Sequence, residues 1–142
     1  MLRGISPLIG PDLLGVLYRM GHGDELVLAD QHFPAESHGR RVVRADGHLI
    51  AELLDGLLPL ITLDRYVPTP TFLMAPANDD QADPAVATRY QTVIQRHHPW
   101  APDAARIGRE AFYKQARAAF AIVVTSETAR YGNLILRRGN DG

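Results

Sequence analysis

The residues best suited to acid–base chemistry lie close together in the first quarter of the chain. His22 stands between two glycines, and Asp30 and His32 follow at the end of the short apolar run 26–29. Imidazole gains and loses protons near neutrality, and glycine lets a ligand approach the backbone closely. In open α/β sheets, ligands bind beyond the carboxyl ends of the strands. The pattern therefore predicts a site for a polar ligand, in which Asp30 orients the His22 ring or accepts hydrogen bonds from the ligand.

Other interpretations of this group stay open from the residues alone. His22 could stabilise a turn, and Asp30 could cap the end of the strand. His22, Asp24, Asp30 and His32 are also acceptable ligand types for zinc, iron or manganese, although no His-x-His or His-x-x-x-His spacing occurs among them. The glycines around His22 precede the predicted strand instead of following it, which argues against a dinucleotide-binding loop.

A second candidate group lies on a helix that the sequence predicts over residues 104–118. The spacing places Arg106, Arg109 and Tyr113 along one face of that helix. The two arginines could simply be solvated. The Tyr113 phenol could form a hydrogen bond to a buried hydroxyl of a ligand.

The segment 125–133 joins two predicted strands and forms a third candidate group. Its spacing favours a long hairpin-like connection, in which Gly132 and Asn133 supply the turn geometry. Tyr131 and Asn133 could also present an aromatic ring, a hydroxyl and an amide to a sugar. By contrast, the pair His97-His98 is expected at an exposed helix end, without a chemical role.

Apolar spacing and turn residues predict the elements that must hold these groups in place. Helices are expected after Pro11, over 49–58, after Asp83-Pro84 and over 104–118, and strands at 25–29, 42–43, 71–75, 121–125 and 134–136. The polar segment 76–83 is expected to be a surface loop. Helices that alternate with apolar strands predict one α/β domain over residues 1–142, a three-layer α/β/α sandwich with a mostly buried sheet.

Composition narrows the classes of function. The 142 residues favour one domain, and 46% of them are apolar, which is enough for a core. A net charge of −1 and the lack of a basic run argue against nucleic acid as a partner. No cysteine is present, so disulfides, thiolate nucleophiles and cysteine-based metal sites are excluded, and a cytoplasmic setting fits. Neither a signal peptide nor a membrane partner is expected, because no apolar stretch approaches the roughly 20 residues that span a bilayer.

Short blocks run in order along almost the whole chain. They are Leu-Arg-Gly-Ile-Ser-Pro from Leu2, Pro-Asp-Leu-Leu from Pro11, Met-Gly-His-Gly-Asp-Glu from Met20, Ala29-Asp30, His32-Phe33-Pro34, Arg-Ala-Asp-Gly from Arg44, Ala-Phe-Tyr from Ala111, Ala-Phe-Ala from Ala119 and Tyr131-Gly132-Asn133. Together they resemble the bacterial L-fucose mutarotase family, which is related to D-ribose pyranase. The resemblance implies an isomerase that interconverts the α and β anomers of fucose or a similar monosaccharide by acid–base ring opening. Ribose pyranase activity and non-catalytic sugar binding stay open as alternatives.

The resemblance also implies roles for individual residues. The general acid histidine of the family falls on His22. Its sugar-contacting positions fall on Asp30, Arg109, Tyr131, Gly132 and Asn133, and His32 and Tyr113 are further candidates. The His32-Phe33-Pro34 block fits the fucose branch of the family better than the ribose branch. No metal, nucleotide or other cofactor is required.

Members of this family build rings, often decamers, whose sites are completed across subunit contacts, so the resemblance implies self-association. Two positions depart from the family pattern. Ser126 stands where glycine is frequent, which is expected to alter a turn near the site. Glu110 stands where a hydrophobic residue is common, which is expected to alter a subunit contact or the pose of Arg109.

Overall fold

A six-stranded sheet lies at the centre of the computed structural model, which describes residues 2–140. The strands are β1 (Glu25–Ala29), β2 (Val42–Ala45), β3 (Thr71–Met74), β4 (Ala105–Ile107), β5 (Ala121–Thr125) and β6 (Leu134–Arg137). The helices are α1 (Pro11–Arg19), α2 (Ala35–His38), α3 (Ile50–Leu57), α4 (Pro84–His97) and α5 (Arg109–Ala118), with a 3-10 turn over Leu58–Leu60 after α3.

The order of the strands decides which loops meet. The sheet has the order β2-β5-β1-β6-β3-β4. Strand β5 pairs parallel with β1 and β2, and β3 pairs parallel with β4. Strand β6 runs antiparallel to both β1 and β3, so it begins at the edge where those two strands end. The connection from β5 to β6 therefore starts and ends at that same edge and passes the end of β1.

Helices cover both faces of the sheet. Helices α1, α3 and α4 bury their apolar residues in one cluster with Leu28 of β1. Helices α2 and α5 bury theirs, including Phe112, in a second cluster with Val27. Neighbouring residues of β1 enter opposite clusters because side chains alternate across a strand. The predicted three-layer α/β/α sandwich with a buried sheet is confirmed.

Helix boundaries follow the signals in the sequence. Pro11 begins α1, and Pro84 begins α4, where Oδ1 of Asp83 accepts the N–H of Ala85 at 2.9 Å. The leucine stripe of α3 is buried, and Pro59 lies in the 3-10 turn that ends it. Within residues 2–140, no helix is long and apolar enough to cross a membrane.

The helix expected over 104–118 is wrong in its first turn. Residues 105–107 form the edge strand β4 beside β3, and α5 begins only at Arg109. A three-residue strand is too short for its periodicity to show, and pairing with β3 decides its conformation. Arg106 therefore does not share a helix face with Arg109 and Tyr113. Its guanidinium donates to the carbonyl oxygen of Met74 at 2.9 Å instead.

Two further expectations are wrong. The connection 126–133 is not a hairpin, because β1 lies between β5 and β6. His98 is buried instead of exposed, and its Nε2 accepts the backbone N–H of Leu63 at 3.3 Å. Burial lowers the pKa of His98, which keeps its ring neutral and able to accept that bond.

Candidate functional site

A cleft of about 320 Å³ opens at the edge of the sheet where β1 and β3 end and β6 begins. Its lining residues are Asp30, His32, Phe33, Met74, Arg109, Tyr113, Arg130, Tyr131 and Asn133. The volume lies in the range of small-ligand sites, about 300–1,000 Å³. The fold thus brings together most of the residues singled out in the sequence, including two that are 103 positions apart, Asp30 and Asn133.

Asp30 and Asn133 provide the polar groups at the base of the cleft. Oδ1 of Asn133 accepts the backbone N–H of Asp30 at 2.6 Å, and Oδ1 of Asp30 accepts the backbone N–H of His32 at 2.9 Å. Because the backbone occupies the oxygen of the buried Asn133 amide, its NH2 group is the part that can donate to a ligand. The second carboxylate oxygen of Asp30 can accept from a ligand hydroxyl.

The segment before β6 has an unusual backbone. Tyr131 has φ 55°, in the left-handed region that few residues other than glycine adopt. A Cβ on Gly132 would lie 2.9 Å from the carbonyl oxygen of Ala129, so this position needs glycine. The buried hydroxyl of Tyr90 donates to the Gly132 carbonyl at 2.8 Å, and burial raises the pKa of Tyr90, which keeps the hydroxyl protonated. Gly132 is therefore required for the backbone conformation of this segment. Tyr131 and Asn133, on either side of it, face the cleft.

An aromatic wall closes another side of the cleft. Phe33 and Tyr113 stack with ring centroids 5.1 Å apart. The Arg109 guanidinium carbon lies 5.0 Å from the centre of the Tyr113 ring, and Nη2 of Arg109 lies 3.5 Å from the phenol oxygen. His32 is exposed at the rim, and Glu110 is exposed beside Arg109. The wall combines a flat apolar surface with one cation.

His22 lies outside this cleft. The five residues of β1, which span about 16 Å, separate it from Asp30. Its side chain is 42% exposed, and its Nε2 atom lies 3.8 Å from Oδ2 of Asp64. Within one chain, therefore, the expectation that Asp30 orients the His22 ring is wrong. The two residues are close in the sequence but far apart in space, because the extended strand β1 runs between them from one edge of the sheet to the other.

Asp64 is the carboxylate behind His22. Its side chain is 1% exposed, and its two oxygens accept the Nε–H of Arg137 and the backbone N–H of Tyr66, each at 2.9 Å. Burial opposes ionisation, but the Tyr66 N–H, the Arg137 guanidinium and the nearby His22 together hold the pKa of Asp64 below its usual value. At 3.8 Å the pair is an electrostatic contact and not a hydrogen bond, so the Asp64 charge faces the imidazole without fixing its tautomer.

The loop that carries His22 explains part of its sequence pattern. Gly23 has φ 87°, and a Cβ there would lie 3.1 Å from Nη2 of Arg137. Oδ2 of Asp24 accepts the backbone N–H of Gly21 at 2.8 Å. The second glycine and the aspartate therefore shape the turn that presents the imidazole.

Four residues of these networks escape prediction from the sequence: Asp64, Arg137, Asp80 and Arg130. Oδ2 of Asp80 accepts the Tyr131 phenol at 2.7 Å, and the same carboxylate pairs with Arg130. Asp80 lies in the segment expected to be a surface loop, where an acidic residue is indistinguishable from a solvated one. No spacing rule links Asp64 to His22 or Asp80 to Tyr131.

Two earlier expectations about the site can be placed on the structure. Oγ of Ser126 accepts the backbone N–H of Gly47 at 2.7 Å, so this residue stabilises the turn after β2 and does not line the cleft.

The four candidate metal ligands lie at opposite ends of a strand, since His22 and Asp24 precede β1 and Asp30 and His32 follow it. Across residues 2–140, no group of three or more histidine, aspartate or glutamate side chains is arranged to hold a metal ion.

Comparison with known proteins places the whole chain in one family. The model of the RbsD / FucU transport protein family matches residues 3–140. The chain belongs to the RbsD / FucU transport protein family. This finding confirms the resemblance seen in the sequence blocks.

Solved structures of RbsD / FucU proteins share the fold along their full length. The fucose mutarotase of Streptococcus pneumoniae, solved in complex with L-fucose, is 40% identical, with a TM-score of 0.92 over 99% of this chain and 100% of that one. FucU from Bifidobacterium longum is 44% identical, with a TM-score of 0.90 over 96% and 98% of the two chains. Bacillus subtilis RbsD, complexed with D-ribose, is 17% identical with a TM-score of 0.75 over 99% and 98%, and this likeness concerns the fold alone.

Proposed function

We propose that this RbsD / FucU family protein is an isomerase that interconverts the α and β anomers of L-fucose or a similar monosaccharide. The side chains that line the cleft are the main support for this proposal. Asp30, Asn133 and Tyr131 converge beside an aromatic wall, in a chain 40% identical to a fucose mutarotase that holds L-fucose. A few directed polar groups next to flat apolar surface suit a sugar, which has both hydroxyls and C–H faces.

Mutarotation needs two proton transfers. One group removes the proton of the anomeric hydroxyl, and another protonates the ring oxygen as its bond to the anomeric carbon breaks. In this proposal, Asp30 accepts from one sugar hydroxyl, and the Asn133 NH2 group and the Arg109 guanidinium donate to others. Tyr131 contacts the sugar with its ring or its phenol oxygen. His22 transfers one of the two protons to or from the sugar, and solvent water supplies or accepts the other. These steps use no metal, nucleotide or covalent nucleophile.

In this proposal a second copy of the chain completes the site, because His22 lies outside the cleft of its own chain. His22 lies at the far end of β1, where the centre of its ring is 5.9 Å from that of Tyr66, which is 72% exposed. Exposed aromatic residues of this size favour a protein contact surface. We propose self-association into a ring, a decamer by family resemblance, in which this surface of one copy meets the cleft of the next. The absence of cysteine is compatible with a cytoplasmic location.

Magnetisation transfer between the anomers of L-fucose, followed by NMR, tests the activity. The wild-type protein should exchange the anomers faster than buffer does. His22→Ala should lose about 10²–10⁴-fold in rate, the usual contribution of a positioned acid or base. His97→Ala is the matched control, because His97 pairs with Asp55 at 2.8 Å on another part of the surface. An exchange rate equal to that of buffer would refute the proposal, and full activity of His22→Ala would remove His22 from it.

The same measurements separate the alternatives. Faster interconversion of the ring forms of D-ribose, without an effect on fucose, would identify a pyranase. Saturable fucose binding without faster exchange would identify a sugar-binding module. Mixing His22→Ala with Asp30→Ala subunits tests the shared site, because one intact cleft can then form from two inactive variants. No recovery of activity in the mixed assemblies would refute a site that is shared between two subunits.

A further inference from the structure

Two loops from distant parts of the chain meet at the Tyr131 phenol. Its hydroxyl donates to Oδ2 of Asp80 at 2.7 Å, and its oxygen accepts the backbone N–H of Ala77 at 3.3 Å. Ala77 and Asp80 belong to the loop between β3 and α4, whereas Tyr131 precedes β6. The partners are 51 positions apart in the sequence, so the contact exists only in the folded chain.

The loop holds Asp80 in place for this contact. The backbone N–H of Asp80 donates to the carbonyl oxygen of Ala77 at 2.9 Å, and Oδ1 of Asp80 accepts the N–H of Gln81 at 2.8 Å. These two bonds form a turn that directs Oδ2 toward Tyr131 and Arg130. The turn therefore holds the carboxylate in place for its contact with Tyr131.

The contact sets the direction in which Tyr131 can form a hydrogen bond with a ligand. The Tyr131 phenol, the Gln81 N–H and the Arg130 guanidinium lower the pKa of Asp80, so the carboxyl is ionised at neutral pH. An ionised carboxylate can only accept, and a phenol has a single proton. That proton is committed to Asp80. The phenol oxygen, which also accepts the N–H of Ala77, can then offer a sugar only its remaining lone pair.

Tyr131 also depends on outside contacts to keep its backbone. Its φ of 55° is unfavourable for a residue with a side chain, and such conformations persist where the surroundings impose them. The bond from Tyr90 to the Gly132 carbonyl holds the backbone on one side, and Asp80 holds the phenol on the other. Loss of either contact should free the ring to leave the cleft wall.

We propose that Asp80 is a positioning residue of the sugar site, which fixes the Tyr131 phenol as a hydrogen-bond acceptor for one hydroxyl of the monosaccharide. The inference rests on the proposed sugar-binding function. It also predicts specificity. A sugar that lacks the hydroxyl facing Tyr131 should bind the wild-type protein more weakly than fucose does, and this difference should disappear when Asp80 no longer holds the phenol.

A double-mutant cycle tests this role. Asp80→Ala, Tyr131→Phe and the double variant are compared for the dissociation constant of L-fucose, measured by calorimetry, and for the anomer-exchange rate. Asp80→Ala should weaken binding about 3- to 10-fold, the usual effect of one hydrogen bond. In the Tyr131→Phe background the same change should matter less than about twofold, because the group through which Asp80 acts is gone. Asp80→Asn, which keeps an acceptor oxygen, should retain most of the wild-type affinity for L-fucose.

Asp79→Ala is the matched control, since it removes the same charge from the adjacent, exposed position. It should bind fucose as the wild type does. An equal loss from Asp80→Ala with and without the Tyr131 phenol would overturn the proposal, because Asp80 would then act through the loop alone. Wild-type affinity in Asp80→Ala would overturn it too.

A readout without sugar separates this inference from the proposed function. The chain has five tyrosines, which can be replaced by 3-fluorotyrosine and followed by fluorine NMR, with Tyr131→Phe identifying the signal of Tyr131. Asp80→Ala should move that signal and Asp79→Ala should not, whether or not fucose binds or exchanges. An unmoved signal would show that Asp80 does not position Tyr131. Failure of the wild-type protein to accelerate exchange would refute only the catalytic proposal.

Discussion

Nε2 of His22 lies 3.8 Å from Oδ2 of Asp64, so the carboxylate that faces the imidazole comes from the segment after α3 and not from Asp30. Asp64 is buried and is held by Arg137 and by the backbone N–H of Tyr66. The imidazole, by contrast, is nearly half exposed. A fixed charge behind an accessible ring is an arrangement that can orient a proton carrier for a partner molecule.

Asp64→Asn is expected to lower the anomer-exchange rate about 10- to 100-fold, because the imidazole loses the negative charge that faces it at 3.8 Å. NMR exchange measurements on L-fucose across a range of pH values would show the change. Asp55→Asn is the control, since it removes the carboxylate that pairs with His97 at 2.8 Å. Equal rates for Asp64→Asn and the wild type would mean that the pair has no part in proton transfer.

The lowered pKa of Asp64 predicts how stability varies with pH. A carboxyl whose pKa is lower in the folded chain contributes stability above its unfolded value, near 3.8, and loses it as the pH falls through the folded value. The free energy of unfolding should therefore drop below about pH 4, and the drop should be shallower in Asp64→Asn. Denaturant unfolding between neutral pH and about pH 3 measures both curves. Parallel curves would contradict the assignment to Asp64.

Asn133→Ala should destabilise the fold by about 1–3 kcal/mol, because the partly buried N–H of Asp30 loses its acceptor. The same change should sharply weaken fucose binding, since it also removes the NH2 group from the cleft. Urea unfolding and calorimetry give the two quantities. Asn78→Ala, at an exposed loop position, should leave stability unchanged. If the two variants proved equally stable, the bond to Asp30 would be structurally unimportant.

Glycine substitutions should act in opposite directions at two positions. Gly132→Ala should destabilise the protein by about 1–3 kcal/mol, because its Cβ would lie 2.9 Å from the Ala129 carbonyl oxygen. Gly15→Ala should stabilise it by up to about 1 kcal/mol, because Gly15 lies within α1 and nothing lies within 4 Å of the added Cβ. Thermal unfolding of both variants checks the contrast. A stabilising Gly132→Ala would show that the 126–133 connection relaxes freely.

Most elements of the fold could be predicted because their signals are local. The leucine stripe of α3, the proline at the start of α4 and the β-branched run of β5 each mark an element within a few residues. The exceptions were α2, a single turn of four residues, and β4, whose three residues take their conformation from pairing with β3; both are too short to show a period of their own. His98 was likewise misjudged, because its burial comes from contact with Leu63, 35 positions away.

The sequence by itself determined which residues form the short family blocks and most of the helices and strands that carry them, because residue type and short-range spacing decide both. Only the tertiary structure decided which of those residues meet. The antiparallel placement of β6 beside β1 brings Asn133 to Asp30, while the extended β1 carries His22 away from Asp30 and toward Asp64. Strand order and direction set such distances, and they depend on how the whole sheet packs between its two helical layers.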